Sequence, residues 1–175
     1  MAVTAPALRI TSTLKGVKLV KRSVPNTYKL YAAKTVTITV ATQAGCTYYY
    51  KIAKRGQDNR ELAWKKLSGN QITISASSTA KRVYLKAVNQ VGKSTSRKTP
   101  GFYVDTKKPV VKGVKANKVY RKTVKLSFSD NIGVKTATLN GKKITSGIRV
   151  SKKGTYQLIV TDKAGNKTKV KFKIK

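Results

Sequence analysis

The C-terminal run of this chain constrains its fold more than any other stretch. Val170, Phe172 and Ile174 alternate there with Lys169, Lys171, Lys173 and Lys175. A period of two places the apolar side chains on one face and the ammonium groups on the other, the signature of a half-buried β-strand. On a helix the same lysines would surround the axis and leave no face to bury. Val124, Leu126 and Phe128 alternate in the same way with Lys125, Ser127 and Ser129, and Tyr156, Leu158 and Val160 with Gln157, Ile159 and Thr161. Between Leu139 and Ile144, Asn140-Gly141 predicts a tight hairpin, because both residue types tolerate positive φ. No stretch shows a helical period of helix length. Residues 58–68, with Leu62, Trp64 and Leu67, read as a strand plus a loop.

The second half then carries about seven strands, near 110–115, 122–129, 134–139, 142–145, 147–151, 155–161 and 167–174. That density of short strands predicts an immunoglobulin-type antiparallel sandwich. The first half repeats the plan. Lys34 to Val40 matches Lys122 to Phe128 at an offset of 88, and Val83, Leu85, Ala87 and Gly92 match Tyr156, Leu158, Val160 and Gly165 at an offset of 73. Both matches keep the apolar phase, which a slip of one residue would invert. The unequal offsets place about 15 extra residues in the first repeat, around Asp58-Asn59-Arg60-Glu61 and Trp64. The expected organisation is all-β: a leader of uncertain order over 1–16, a first sandwich over 17–104 and a second over 105–175. Val17 to Val24 is expected to supply the first strand. The predicted cores hold Val36, Ile38, Val40, Val83 and Leu85 in the first, and Val124, Leu126, Phe128, Tyr156, Leu158, Val170, Phe172 and Ile174 in the second. Tyr48 and Tyr50 share a core-facing phase with Ile52, and Cys46 reads as a buried small hydrophobe.

Three motifs follow one another in the second half: Asp105-Thr106-Lys107-Lys108-Pro109, Ser129-Asp130-Asn131-Ile132-Gly133 and Thr161-Asp162-Lys163-Ala164-Gly165-Asn166. Together they resemble the tandem bacterial Ig-like domains of Gram-positive cell-surface proteins. The resemblance covers 105–175 well and 30–104 more weakly, where Val88 to Ser94 is similar to the same last-hairpin turn and to fibronectin type III turns. It implies a secreted or wall-attached spacer or adhesive module, one of several in a longer chain. It carries architecture further than it carries a ligand.

Charge adds a separate constraint. Lys and Arg total 39 against 5 acidic residues, a net charge of +34. The charge divides evenly between residues 1–104 and 105–175, both of them rich in apolar residues, so the expectation is a folded basic surface and not a disordered tail. The chain holds no His and one Cys. Cys/His zinc sites and internal disulfides are therefore impossible. General acid–base catalysis wants His or paired carboxylates with shifted pKa, and neither a phosphate loop nor a nucleophile elbow occurs. The sequence reads as a non-enzyme. No apolar run is long enough to span a membrane. Residues 1–8 lack the charged region and apolar core of a signal peptide. Two readings of Met1 stand: a start within a longer exported protein, or a protein not exported by that route.

Three sets of residues are candidates for function. Lys169, Lys171, Lys173 and Lys175 form a comb of charge with about 6.6–6.8 Å between teeth. It suits a repeating polyanion such as an anionic cell-wall polymer or acidic polysaccharide; the plainer account is that edge lysines prevent aggregation. Tyr49 and Trp64 are candidates for stacking on a sugar ring if both are exposed. Asp105, Asp130 and Asp162 sit where a sandwich brings the start of its first strand and two turns to one pole, so their carboxylates are expected to converge. Hard oxygen ligands gathered there could hold Ca²⁺, although Asp is also a favoured turn residue in its own right. The leading function is a surface spacer or adhesive module, extracellular or in the cell wall, beside neighbouring modules or identical subunits. The alternatives are a virion or other assembly protein with Ig-like decoration domains, and a general polyanion- or nucleic-acid-binding protein. Sequence-specific reading of nucleic acid is disfavoured, since no helix is available for a major groove.

Overall fold

A computed structural model describes residues 4–20 and 28–175, and the structural statements below concern those residues. The chain is all-β, with immunoglobulin-like, fibronectin III-like sandwich architecture, and it divides into two compact units, Met1–Asp105 and Thr106–Lys175.

In the first unit, Ile10–Ser12, Val36–Val40 and Gln71–Ile74 form a three-stranded sheet. A larger sheet runs Leu30–Ala32, Phe102–Val104, Lys81–Asn89, Cys46–Lys54 and Lys65–Lys66, with Ser94–Lys98 paired beside Lys81–Asn89. Alternate residues of the two sheets fill one core. Val36, Ile38, Val40, Ile72 and Ile74 come from the smaller sheet, and Tyr48, Val83, Leu85, Ala87 and Phe102 from the larger. Tyr50 and Ile52 pack against the same core, as their phase predicts, while Tyr49 lies on the opposite face. In the second unit the main sheet runs Lys118–Tyr120, Lys167–Ile174, Gly154–Asp162, Val134–Leu139 and Lys142–Lys143. Two short ladders, Val110–Lys112 with Ser127–Ser129 and Val124–Lys125 with Arg149–Val150, supply the rest. Leu126, Leu158 and Val160 are fully buried there and Phe172 nearly so. Phe128 and Tyr156 are half-buried and pack on the edge of this core.

The internal repeat holds to the residue. Lys81–Asn89 and Gly154–Asp162 differ by 73 at both ends, and Leu30–Ala32 and Lys118–Tyr120 by 88 at both ends. Leu30–Ala32 and Lys118–Tyr120 each pair in parallel with the closing strand of their own unit. Lys118–Tyr120 is absent from the strands read in the sequence. Val119 is exposed and only Tyr120 packs on the core, so no alternation marks this strand in the sequence; its backbone pairs with Phe172–Ile174. Asn140 and Gly141 both adopt positive φ, 48° and 82°, and close the predicted hairpin.

Three expectations change. The first strand of the first unit is Ile10–Ser12, which pairs with Val36–Val40; Leu8, Ile10 and Leu14 pack on the core. Residues 1–16 thus include sheet and core, because Ile10 keeps the apolar phase of an edge strand although its neighbours are polar. Of Val17 to Val24, Val17 is buried, Val20 bridges to Lys98, and 21–24 lie outside the described residues. Cys46 is half-buried, not buried, since it opens its strand at the rim of the core. The stretch 58–68 forms a single 3₁₀ turn, Asn59–Glu61, followed by the two-residue strand Lys65–Lys66.

Candidate functional site

The closing strand of the second unit is eight residues without a break, Lys167–Ile174. Its inward residues Val170, Phe172 and Ile174 are buried, while Lys167, Lys169, Lys171 and Lys173 are exposed, as is Lys175 beyond its end. The four lysines of the sequence-level comb therefore stand in one row, and Lys167 extends it. Lys167 was legible in the same alternation, but its inward neighbour is Thr168, so no apolar residue marked the phase there. The register shows what flanks the row. Lys173 lies beside Thr155 and Val119, Lys171 beside Gln157, Lys169 beside Ile159 and Lys167 beside Thr161. These neighbours are neutral. The row is a line of like charge with no carboxylate opposite it in the ladder, and repulsion along it favours an arriving anion.

The outer face of the larger sheet in the first unit is built differently. Cross-strand pairing sets Tyr49 beside Lys86, Lys51 beside Tyr84 and Ala53 beside Arg82. The extra segment 58–68 folds down over this face. Lys51 holds it there: its ammonium group donates to the carbonyl oxygens of Asn59 and Leu62 and sits 4.7 Å from the Trp64 ring centroid. Lys51 is consequently buried, alone among the described lysines, although it lies on the outer face. Its charge is met by carbonyl dipoles and aromatic faces, which attract a cation. Tyr49 and Trp64 are both half-buried, and Lys86 lies between them, 5.7 Å from one ring and 5.8 Å from the other. The two rings that sequence pairs as a stacking platform thus share an ammonium group.

Within the second unit two of the turn acids meet: Asp130 and Asp162 each present a carboxylate oxygen within 4.8 Å of the other. Asp162 is fully buried and shapes its turn: Oδ1 accepts from the backbone N–H of Gly165 and Asn166, and Oδ2 from the Asn166 side-chain amide. Asp130 Oδ1 accepts from the N–H of Ile132 and Gly133, while its Oδ2 is buried and accepts no hydrogen bond. Like charges this close repel strongly unless a cation or a proton stands among them.

Among the described residues no helix is long and apolar enough to cross a membrane. A further acid, Asp58, faces Arg60. Hydrogen bonds from the Arg60 side chain and then its backbone N–H hold the Asp58 carboxyl down at about 2.

No family model matches the chain. Over 75 residues it is 41% identical to an outer cell wall protein of Brevibacillus brevis; the match covers 40% of this chain and 7% of that protein's length. Among solved structures it is similar to the fibronectin(III)-like modules of Clostridium thermocellum CbhA, at 15% identity and a TM-score of 0.38, covering 94% of this chain and 93% of that one. It is also similar to the N-terminal four Ig domains of Dscam1, at 13% identity and a TM-score of 0.42, covering 99% of this chain and 47% of that one.

Proposed function

We propose that this chain is a non-enzymatic surface module that works as a spacer or adhesive element in an anionic cell wall, retained by lysine contacts to a wall polymer or acidic polysaccharide. The observation that carries the reading is the uninterrupted row Lys167, Lys169, Lys171, Lys173 and Lys175, exposed along one strand and flanked by neutral side chains. A net charge of +34 far exceeds the magnitude of about 2–8 that solubility asks of a small domain. The partial identity to an outer cell wall protein supports an extracellular wall setting over a virion or a nucleic-acid complex. In the first unit, Lys86 between Tyr49 and Trp64 offers a sugar polymer a cation with an aromatic ring on either hand.

Retention of the chain on immobilised teichoic acid or heparin across a salt gradient tests this. Each neutralised phosphate releases counterions, so log affinity for the phosphate polymer falls linearly with log salt. Replacing Lys167, Lys169, Lys171 and Lys173 together by Gln is expected to shallow that slope by about 3, at roughly 0.7–0.9 per contact. Binding indifferent to salt, or to the four substitutions, would overturn the mechanism.

The carboxylates of Asp130 and Asp162, both in the second unit, are proposed as oxygen ligands for Ca²⁺, with backbone or water oxygens completing the six to eight that this ion takes. Buried Asp130 Oδ2, which accepts no hydrogen bond, supports the assignment. Added Ca²⁺ is expected to raise the melting temperature of the wild type relative to chelator and to leave Asp130→Asn nearly unmoved. Equal curves with Ca²⁺ and chelator in the wild type would remove the ion.

A further inference from the structure

The outer face of the first unit carries a recess of about 320 Å³, well apart in sequence from the lysine row. Ala53 forms part of its lining and is buried; the neighbouring outward positions on the same strand are the much longer Lys51 and Tyr49. The small side chain at that point leaves the depression. Two rings, Tyr28 and Tyr84, line it. Asn59 lines it from the extra segment that the second unit lacks.

Each wall is held in place. Tyr28 lies against Gly101 so closely that a Cβ there would come 2.0 Å from its ring, so the glycine is a seat made for that ring. The guanidinium groups of Arg55 and Arg82 approach the same ring, at 5.4 Å and 5.1 Å from its centroid. Arg82 is itself buried, its Nε donating to the Thr99 carbonyl at 3.1 Å. On the other side, Lys51 anchors the backbone of Asn59 and Leu62, and Asp58 caps the 3₁₀ turn by accepting from the Arg60 N–H at 2.8 Å. A recess bounded by fixed side chains loses little order when a ligand enters it.

The lining specifies a ligand chemistry. Lys54 and Arg82 make it cationic; its one acid, Asp58, is already bound to Arg60 at 2.6 Å. Gln57 and Asn59 add amides that both donate and accept. Aromatic faces beside amides and cations suit a ring with hydroxyls on its edge, apolar C–H groups on its face and one negative charge. The volume lies at the lower end of ligand clefts, about 300–1,000 Å³, enough for a sugar unit and too small for a folded segment. We propose that this recess is a binding site for an anionic pyranose unit of an acidic polysaccharide. The choice of ligand rests on the wall-polymer reading above, but the site lies in the first unit and the lysine row in the second, so the two can fail separately.

Titration of the whole ¹⁵N-labelled chain with a galacturonic acid trimer tests it, beside a neutral galactose trimer and glucose 6-phosphate. The expected result is amide shifts centred on residues 53–59 and Tyr84, with weak or no response to the neutral trimer. Lys54→Gln, on an exposed side chain, and Tyr28→Ala are each expected to weaken binding about tenfold, the loss of one charged hydrogen bond or one ring contact. Lys135→Gln, exposed and outside both the recess and the lysine row, is expected to leave it unchanged. Glucose 6-phosphate shifting the same amides more strongly would keep the site and assign its anion as phosphate. Shifts spread over the exposed lysines of both units, no shifts at all, or equal binding of the neutral trimer would overturn the site. A loss of salt-dependent polymer retention with these shifts intact would overturn the lysine row alone.

Discussion

The closing strands of the two units descend from one plan and end differently. In the second unit the strand after the last hairpin runs unbroken over Lys167–Ile174. In the first unit the corresponding chain is cut in two, Ser94–Lys98 and Phe102–Val104, by Thr99-Pro100-Gly101. Proline removes a ladder donor and fixes φ, so a strand cannot continue through it undisturbed. Thr99 makes good the loss. Its hydroxyl accepts from the Val83 N–H, its own N–H bonds the Val83 carbonyl, and its carbonyl takes the Arg82 guanidinium. The break therefore costs the first unit a straight row of cations and leaves it a glycine on which an aromatic ring can lie. An unbroken strand presents charge at a constant repeat, suited to a polymer. An interrupted one loses that repeat, and its glycine seats the Tyr28 ring.

The hairpin turns that precede these strands show the same substitution of chemistry within one geometry. Asn89 and Asp162 occupy equivalent positions, and each side chain accepts the backbone N–H four residues on, at 2.9 Å from Lys93 and 2.8 Å from Asn166. Asp162 accepts two further hydrogen bonds and is fully buried, whereas Asn89 is half-buried. The second turn is thus tied more firmly and carries a charge that the first does without.

The largest effect expected of this comparison is in the cores. Leu85 and Leu158 are repeat-equivalent and both fully buried, so each Leu→Ala change should cost about 2–5 kcal/mol. Each should lower the urea midpoint of its own unit and leave the other's transition in place; a single shared transition that shifts for either variant would mean the units unfold as one. Next come the turns. Asp162→Ala strips three hydrogen bonds from a buried site and should cost about 2–4 kcal/mol, while Asn89→Ala should cost about 1 kcal/mol. Equal losses by denaturant titration would mean that the extra bonds of the second turn contribute nothing. The smallest effect concerns the extra segment. Asp58 has its folded pKa depressed to about 2, below the roughly 3.9 of an unfolded Asp, so its contribution is complete above about pH 4 and is lost as pH falls toward 2. Protection of the amides of 58–62 against hydrogen exchange should therefore be flat from neutral pH to about 4 and then fall. Asp58→Asn should show no such decline.

Alternation alone located most of the strands, because a sheet with one wet face writes its register directly into the sequence. Lys169 to Lys175 and Val170, Phe172 and Ile174 are the clearest case, and the repeat-equivalent strands at offsets of 73 and 88 follow the same rule. Ile10–Ser12 was less legible. Three residues hold too few turns of the period to stand out from a polar context, and only pairing with Val36–Val40 makes them a strand. Asp130 and Asp162 were legible by topology, since the turns that hold them return to the same pole of one unit.

What pattern could not carry was everything that depends on two distant segments meeting. Lys51 reads as an outward lysine, and it is one; only the folding of 58–68 over it makes it a buried anchor. Gly101 reads as a turn glycine after proline, and only the approach of Tyr28, more than seventy residues earlier, gives its missing side chain a purpose. Periodicity records which face of a strand meets water, because that is a local property of a pleated backbone. Which side chains share a recess depends on loop closure between segments far apart, and no local period encodes that.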